Sequence, residues 1–499
     1  MAVYCLAGPI TVLRVIGELP YGLEGVGIMR FGSHVRKVGM LAFAILVLSL
    51  SLAGGMPVRR VNAPYFDSTV RFSEAAVFWF GQVTDLQNHT DVRVGYTSQE
   101  IWINLAIFDK WLWEDDSATR TPDSLQLWDA ATVTLDTNPS PGAQPGASSY
   151  RFTGELSWWR PRSDYQAAYR GAGNGWTAAA VPFTTETNWR GDAPNNTVED
   201  RGWNITFTIP FSSLGVSGPP LSGTVWRLGM LVHDKDFQNQ IALSDKFWPE
   251  TFNRDQPSSW GEITFGLRSI QTPLPPPSVQ TYTIRHRLNG AAVVDAMVGG
   301  GSVCGEGMDF FSQWGDANYA GSSHLVTQNQ GDVADWPCFS KIYINFPLDI
   351  LPPGKMVVSA TMTLYQFGNS DPSNAQPSLV QVLTVGDDWN ESTITWNNAP
   401  LAQENVSQTW VDPLTSTIPW PGAARSWDMT WAVLQAYTAS QPRLRLALYE
   451  ADGAYHSGKY FTSSDTGDWN EAGRPTLVVT LADPDTAPPS PPTNLHILP

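Results

Sequence analysis

Short runs in which apolar and polar residues alternate recur along both halves of this chain, and they constrain the fold more than any other feature. Successive side chains of a β-strand point to opposite faces, so a period of two is typical of a strand with one buried face. The clearest runs are Val92–Tyr96, Ile101–Leu105, Ala130–Asp136, Trp203–Ile209, Val225–Val232, Ser340–Phe346, Met356–Tyr365, Ser378–Val385, Arg443–Tyr449 and Thr476–Leu481. Turn-forming residues separate them at the spacing of a β-sandwich. The sequence therefore predicts an all-β fold.

Proline-rich segments divide the chain into two such regions. Residues 269–278 form a predicted semi-rigid linker between one β-sandwich at 64–268 and a second at 279–481, both of them jelly-roll-like. The sequence of a second Pro-rich segment, residues 482–499, resembles the start of a fibronectin type III repeat. One helix is predicted at Trp427–Tyr437, where positions 427, 431, 434 and 437 place apolar side chains on one face. We expect that helix to cover the end of the second sandwich.

The first 63 residues are predicted to be an N-terminal extension plus a signal peptide. Residues 38–58 carry no charge and follow Arg36 and Lys37, which is the pattern of a basic region followed by an apolar one. Met29 is the expected working start, because a start at Met1 would make the basic region unusually long. An uncleaved anchor stays open, since 21 uncharged residues reach membrane-spanning length. The predicted location is secreted or cell surface, with membrane contact only through this segment if it is uncleaved.

Charge excludes one class of partner. The chain has a formal net charge of −17, and its first 63 residues carry six Arg or Lys against two Glu, so the remainder carries −21. Such a surface repels phosphate backbones, and nucleic acid is therefore excluded as a partner.

Two cysteines remain after the predicted signal peptide, Cys304 and Cys338. In an exported domain they are expected to form one disulfide, closing a loop of about 35 residues. Two unpaired buried thiols remain the alternative. Neither cysteine has the spacing of a metal site.

The first predicted sandwich resembles the family 9 carbohydrate-binding module. The motifs that carry this resemblance are Val94–Tyr96, Ile101–Asn104 with Asp109, Asp123–Asp129, Val133–Asp136, Gly202–Trp203, Ile209–Phe211 and Trp260–Phe265. The resemblance implies a β-sandwich with a sugar site between aromatic rings.

The second predicted sandwich resembles the DNRLRE domain, which is similar to the family 96 carbohydrate-binding module. Its motifs are Asp316–Gly321, Ser340–Pro347, Ala360–Leu364, Asp388–Pro400, Trp427–Thr430, Lys459–Ser464 and Arg474–Leu477. The resemblance implies a jelly-roll-like sandwich on an exported surface protein or a polysaccharide-active enzyme, and some domains of this kind bind acidic polysaccharide.

The chain holds 22 tryptophans, and those outside the strand patterns are candidates for stacking on sugar rings. Trp102, Trp128, Trp203 and Trp226 fall on strand patterns and are predicted to be core. The predicted carbohydrate-binding residues lie in turn-rich segments and are Trp111, Trp113, Trp158, Trp159, Arg160, Trp176, Trp189 and Arg190. Two rings with polar partners would form a clamp on a sugar. The alternative is that these rings plug the ends of a sandwich or a domain interface.

No common catalytic motif occurs in the sequence, so no catalytic residue is predicted and the chain is interpreted as non-catalytic. The dense polar cluster His233–Asp236 and the acidic run Glu114–Asp116 leave a structural calcium ion open, and no other cofactor is expected. The predicted function is therefore an exported protein that binds polysaccharide or a cell-wall glycan. The alternatives are a structural cell-surface or sheath protein without sugar affinity, and an accessory part of a polysaccharide-degrading enzyme.

Overall fold

The computed structural model describes residues 58–117, 120–157, 159–240, 245–268, 278–333, 336–386 and 388–484. Residues 1–57 of the predicted N-terminal extension and signal peptide, all but the last residue of the predicted linker, and most of the proline-rich tail lie outside these residues. The first sandwich begins before the predicted residue 64, because Arg60–Ala63 form a strand of it. Within the described ranges, no helix is both long enough and apolar enough to span a bilayer.

The first half of the described chain is a sandwich of two sheets. Its strands are β1 (Arg60–Ala63), β2 (Ala76–Thr84), β3 (Gln87–Tyr96), β4 (Glu100–Phe108), β5 (Ala130–Asp136), β6 (Ser149–Glu155), β7 (Gln166–Gly171), β8 (Trp176–Ala178), β9 (Thr184–Arg190), β10 (Gly202–Pro210), β11 (Val225–His233), β12 (Lys246–Trp248) and β13 (Gly261–Phe265). Sheet 1 has the order β1-β13-β11-β5-β6-β7-β8, with β12 on β11, and sheet 2 has the order β2-β3-β4-β10-β9. Neighbouring strands are antiparallel, except that β1 runs parallel to β13.

The second half is also a sandwich. Its strands are β14 (Val279–Arg285), β15 (Val294–Gly299), β16 (His324–Thr327), β17 (Ser340–Pro347), β18 (Met356–Asn369), β19 (Ser378–Val385), β20 (Ala402–Val411), β21 (Ala423–Asp428), β22 (Arg443–Glu450), β23 (Lys459–Thr462) and β24 (Thr476–Ala482). Sheet 3 has the order β15-β17-β22-β19-β20, and sheet 4 has the order β14-β24-β18-β23-β16, with β21 on β18. The predicted all-β class with two sandwiches is confirmed.

Short 3-10 helices connect many of the strands. They span Phe72–Glu74, Leu125–Leu127, Arg162–Asp164, Phe211–Leu214, Pro257–Ser259, Leu288–Gly290, Gly301–Val303, Trp314–Asp316, Trp336–Cys338 and Asp468–Gly473.

The alternation seen in the sequence builds each core. On β4 the side chains of Ile101, Ile103, Leu105 and Ile107 are fully buried in the first sandwich. On β17 the side chains of Ile342, Ile344 and Phe346 are fully buried in the second sandwich. Trp203 and Trp226 are buried as predicted, whereas Trp102 and Trp128 are only half-buried.

The α-helix α1 spans Thr430–Thr438, and its buried face differs from the prediction. Ala432, Val433 and Ala436 are buried, whereas Trp431 and Leu434 are half-buried. Trp427 is buried, but it belongs to β21. The predicted face was wrong because the strand continues through Trp427 and the helix begins three residues later.

Sheets 2 and 3 face each other across a buried polar interface, so the layers run in the order sheet 1, 2, 3, 4. Asp91 on β3 is fully buried and accepts a hydrogen bond from the Tyr449 hydroxyl at 2.8 Å. The ammonium of Lys341 on β17 lies 3.8 Å from the Asp91 carboxylate. It also lies 3.5 Å from the ring centroid of Trp396 and 4.2 Å from that of Trp79. The charge pair is thus enclosed by aromatic rings from both sandwiches.

Arg93 on β3 and Asn62 on β1, a strand of sheet 1, add further hydrogen bonds between the two sandwiches. The fully buried Arg93 guanidinium donates to the Gln330 carbonyl at 2.9 Å and to the Asn329 side-chain oxygen at 3.2 Å. Asn62 on β1 exchanges hydrogen bonds with Asn405 on β20 at 2.7 to 3.0 Å. The described residues form one compact unit that includes both sandwiches. The sequence did not predict this contact.

Cys304 and Cys338 form a disulfide, with their Cα atoms 3.9 Å apart. The predicted pairing is confirmed, and the alternative of two free thiols is wrong.

Candidate carbohydrate-binding and metal sites

Two of the predicted stacking residues meet at the edge of sheet 2. Trp189 lies on β9 and is half-buried, and Trp159 lies in the loop after β6 with 45% of its surface exposed. Their ring centroids are 5.6 Å apart, with planes inclined at 71°. The indole nitrogen of Trp189 donates to the Asp192 carbonyl at 2.7 Å, which fixes the direction of the ring. An open pair of angled indoles is an arrangement that can contact a sugar ring.

The two predicted arginine partners have other contacts in this structure. The Arg190 guanidinium forms a salt bridge with Asp332 of the second sandwich. Arg160 is half-buried. Burial raises the pKa of Glu114 to about 7, and the positive charge of Arg160 opposes that rise. Arg190 therefore joins the two sandwiches beside the Trp159–Trp189 pair.

Trp176 lies on a different surface, at the edge of sheet 1. Its indole nitrogen donates to the Asp255 carboxylate at 2.8 Å, and its ring stacks parallel to that of Trp260 with centroids 6.3 Å apart. The Arg151 guanidinium lies 5.5 Å from the Trp176 centroid and 3.7 Å from that of Tyr169. The predicted set therefore divides between two surfaces.

Trp113 and Trp111 lie apart from both of these surfaces. Trp113 is only 6% exposed and its indole nitrogen donates to the Asp236 carbonyl at 2.9 Å, so no ring face is available for a sugar. Trp111 is half-buried, with the Lys110 ammonium 5.1 Å from its centroid. Trp158 lies outside the described residues.

A buried acidic centre lies where three strands end. Asp109 follows β4, Asp129 precedes β5 and Asp234 follows β11, and the antiparallel sheets bring these ends together. One carboxylate oxygen from each lies within 4.8 Å of the other two. All three side chains are at most 1% exposed. Sequence reasoning singled out only Asp234, because the other two lie far from it along the chain.

Among the described residues no salt bridge reaches the acidic centre, although the charge of Lys246 acts on Asp234 and that of Lys235 on Asp129. Backbone N–H groups of Trp113 and Lys235 donate to Asp129 at 2.6 and 2.8 Å, whereas neither oxygen of Asp234 accepts a hydrogen bond. Burial, together with repulsion between the carboxylates, raises the pKa of all three, that of Asp234 to about 8. Across the described ranges no Arg or Lys forms a salt bridge with them, and the Lys235 ammonium lies 3.8 Å from the Trp128 ring centroid. Carboxylate oxygens arranged in this way suit a hard divalent cation.

Comparisons with known proteins point to carbohydrate-binding modules. The search of curated proteins returns no match. A family 9 carbohydrate-binding module from Caldicellulosiruptor kristjanssonii, solved with glucose, has 16% identity and a TM-score of 0.30 over 42% of this chain and 97% of that one. The same organism's family 9 module with cellotriose has 17% identity and a TM-score of 0.30 over 44% of this chain and 100% of that one. These two likenesses are too distant to carry a structural argument.

The second sandwich gives the clearer result. The model of carbohydrate-binding module family 96 matches residues 311–481, which confirms the resemblance predicted from the motifs of that region. Residues 311–481 of this chain are similar to carbohydrate-binding module family 96.

Proposed function

We propose that this protein is an exported, non-catalytic protein that binds polysaccharide. The observation that carries the proposal is the match of residues 311–481 to a carbohydrate-binding family. Modules of this kind typically bind sugar without acting on it. The strongly acidic composition supports the same conclusion, because it disfavours nucleic acid as the partner.

The Trp159–Trp189 pair is the proposed sugar contact of the first sandwich. An indole presents a flat apolar face to the C–H groups of a pyranose ring. Here the angled rings would contact two sides of one sugar or two successive sugars. The exposed position of Trp159 favours this role over that of a plug in the sandwich end.

In the first sandwich, the described carboxylates with raised pKa are buried, which supports a binding role more than a catalytic one. Glu114 is 2% exposed and Glu155 is fully buried, and burial raises the pKa of Glu155 to about 9. Groups this enclosed cannot reach a glycosidic bond in a polymer, since a general acid must approach to within hydrogen-bonding distance of it.

We further propose that the acidic centre holds a calcium ion with a structural role. Asp109, Asp129 and Asp234 would supply carboxylate oxygens, and the unpartnered oxygens of the fully buried Asp234 support the proposal. A divalent cation would neutralise the repulsion between the three groups and fix the ends of β4, β5 and β11 relative to one another.

Affinity electrophoresis of the full chain in gels containing plant, algal and bacterial polysaccharides tests the proposed function. We expect retardation by at least one polysaccharide and a weaker retardation for Trp159→Ala and Trp189→Ala. Trp410→Ala is the matched control, because Trp410 is 46% exposed on β20, the edge strand of sheet 3. Wild-type protein that no polysaccharide retards would contradict the proposal. Reducing sugar released by the purified chain would show catalytic activity instead.

Sequencing of the N-terminus of protein recovered from the culture medium tests the proposed export. A mature protein that begins shortly after residue 53 would support a cleaved signal peptide, whereas a start after residue 63 would remove β1 and its pairing with β13. Protein that stays in the cytoplasm would contradict export.

A further inference from the structure

Four aromatic side chains lie together on sheet 4 and the loops beside it, and they are called the sheet 4 aromatic group here. Phe367 lies on β18, Tyr460 on β23, Trp420 in the turn before β21 and Trp469 in the 3-10 helix Asp468–Gly473. Trp420 is 53% exposed and Trp469 is 69% exposed. Their centroids are 5.0 Å apart with planes at 87°, and Phe367 lies 5.6 Å from Trp420 and 6.3 Å from Tyr460.

The backbone beneath the two exposed rings is held in place. Gly422, two residues after Trp420, has a φ of +107°, and a Cβ there would lie 2.6 Å from the Gln366 carbonyl oxygen. The chain therefore passes directly against β18 at this turn. On the other side, the buried Arg474 guanidinium donates to the Thr466 carbonyl at 2.6 Å and to the Asp468 carboxylate at 2.7 Å. Little conformational entropy would thus be lost when a ligand contacts these rings.

Two tryptophans with more than half of their surface in water require an explanation, because exposed groups of large aromatic side chains usually mark a binding surface. We propose that the sheet 4 aromatic group binds a neutral polysaccharide by stacking of Trp420 and Trp469 against its sugar rings. This inference rests on the proposed function. All four residues lie within 311–481, the region that matches a carbohydrate-binding family. The perpendicular planes would hold two neighbouring sugars at different orientations.

The charges beside the group favour a neutral ligand over a uronic acid. Arg287 and Arg474 both donate to Asp468, at 2.8 and 2.7 Å, which balances one of their two positive charges, and the nearby Asp465 and Glu391 outweigh the other. Asp465 lies close to Glu391, which together with burial raises the pKa of Asp465 to about 6. A polymer with a carboxylate on every sugar would be repelled by these acidic groups, whereas hydroxyl groups could donate to them.

The test uses affinity electrophoresis of the full chain with three neutral polymers, hydroxyethylcellulose, xyloglucan and galactomannan, and two acidic ones, alginate and polygalacturonate. We expect a neutral polymer to retard the wild type. Trp420→Ala and Trp469→Ala should each raise the dissociation constant about 30-fold or more, the typical effect of truncating a central aromatic residue. Trp410→Ala, in the same sandwich, should leave it unchanged.

The outcomes separate this inference from the proposed function. Neutral polymers that bind both variants as tightly as the wild type, with binding lost only in Trp189→Ala, would overturn the inference and leave the proposed function intact. Wild-type binding to the uronates alone would overturn the ligand class. Wild-type protein that binds none of the five would overturn both. Trp469→Phe, which keeps a flat ring, should retain part of the affinity, and an equal loss in Trp469→Phe and Trp469→Ala would contradict stacking.

Discussion

Removal of calcium should weaken the first sandwich, and Asp234→Asn should stabilise the calcium-free protein but destabilise the calcium-bound one. Three carboxylate oxygens lie within 4.8 Å of one another in the acidic centre. At that distance two ionised carboxylates repel each other by about 3 kcal/mol for an effective dielectric constant of about 20. Three such pairs amount to roughly 10 kcal/mol if all the groups are ionised. A protein without calcium avoids this cost by keeping protons on the centre, as the raised pKa values indicate.

The magnitude of the calcium effect follows from mass action. At a free calcium concentration 100 times the dissociation constant, binding to the folded state alone adds about 2.7 kcal/mol to the free energy of unfolding. For a unit of this size we expect a rise in unfolding temperature of roughly 5 °C. In a chelator at pH 8, Asp234→Asn should be more stable than the wild type, because it removes one repelling charge. In calcium it should be less stable, because it loses a ligand.

Differential scanning calorimetry in 1 mM calcium chloride and in EDTA measures both responses, and isothermal titration calorimetry measures binding directly. Asp349→Asn is the control, since Asp349 is an exposed carboxylate in the second sandwich. Identical unfolding of the wild type in calcium and in EDTA, with no heat of binding, would refute the reasoning. So would an Asp234→Asn variant that is less stable than the wild type under both conditions by the same amount.

Three further predictions concern stability. Lys341→Met should lower the free energy of unfolding by about 3–5 kcal/mol in urea denaturation, because it removes the cation beside the buried Asp91 carboxylate, and a second change, Asp91→Asn, should restore most of the loss. Burial raises the pKa of Asp295 to about 8, so the folded state keeps a proton that the unfolded state loses above about pH 4. The protein therefore loses stability as the pH rises from about 4 towards 8. Asp295→Asn should raise the free energy of unfolding by a few kcal/mol more at pH 8 than at pH 4. Equal effects at the two pH values would contradict this. Reduction of the Cys304–Cys338 disulfide should cost about 3–4 kcal/mol, from the loop of 34 residues that it closes, and a Cys304→Ser variant that is insensitive to dithiothreitol is the control.

The sequence predicted the strands well, because alternation of buried and exposed residues is a local property. It did not predict the interface between sheets 2 and 3 for the same reason. Asp91 and Arg93 alternate with Val92 and Val94 on β3, and such a pattern indicates a strand with one face in water. In the structure the polar face is buried against Lys341 and its aromatic neighbours. Whether the polar face of β3 is exposed to water or buried depends on its contact with residues far away in the sequence, which a local pattern does not show.

The candidate sites were predictable only in part. Trp159 and Trp189 were selected from segments predicted to be rich in turns, and the structure places them together, although Trp189 lies on strand β9. Trp113 fits the same pattern, yet it is buried, because its loop folds inward against the acidic centre. Asp109, Asp129 and Asp234 are adjacent in space only through the order of the strands. The exposed pair Trp420 and Trp469 had no distinguishing local pattern.

The buried interface between sheets 2 and 3 also bears on avidity. Modules joined by a flexible linker sample many separations, so each can reach a sugar wherever the polymer offers one. Here Asp91, Arg93 and Lys341 hold the two sandwiches at a constant spacing. Two sugar-binding faces on such a unit would raise the affinity strongly where the distance between polysaccharide chains matches the distance between the faces. On other polymers only one face could bind at a time, and the gain in affinity would be small. The interface would then select for the arrangement of polysaccharide chains as well as for their sugars.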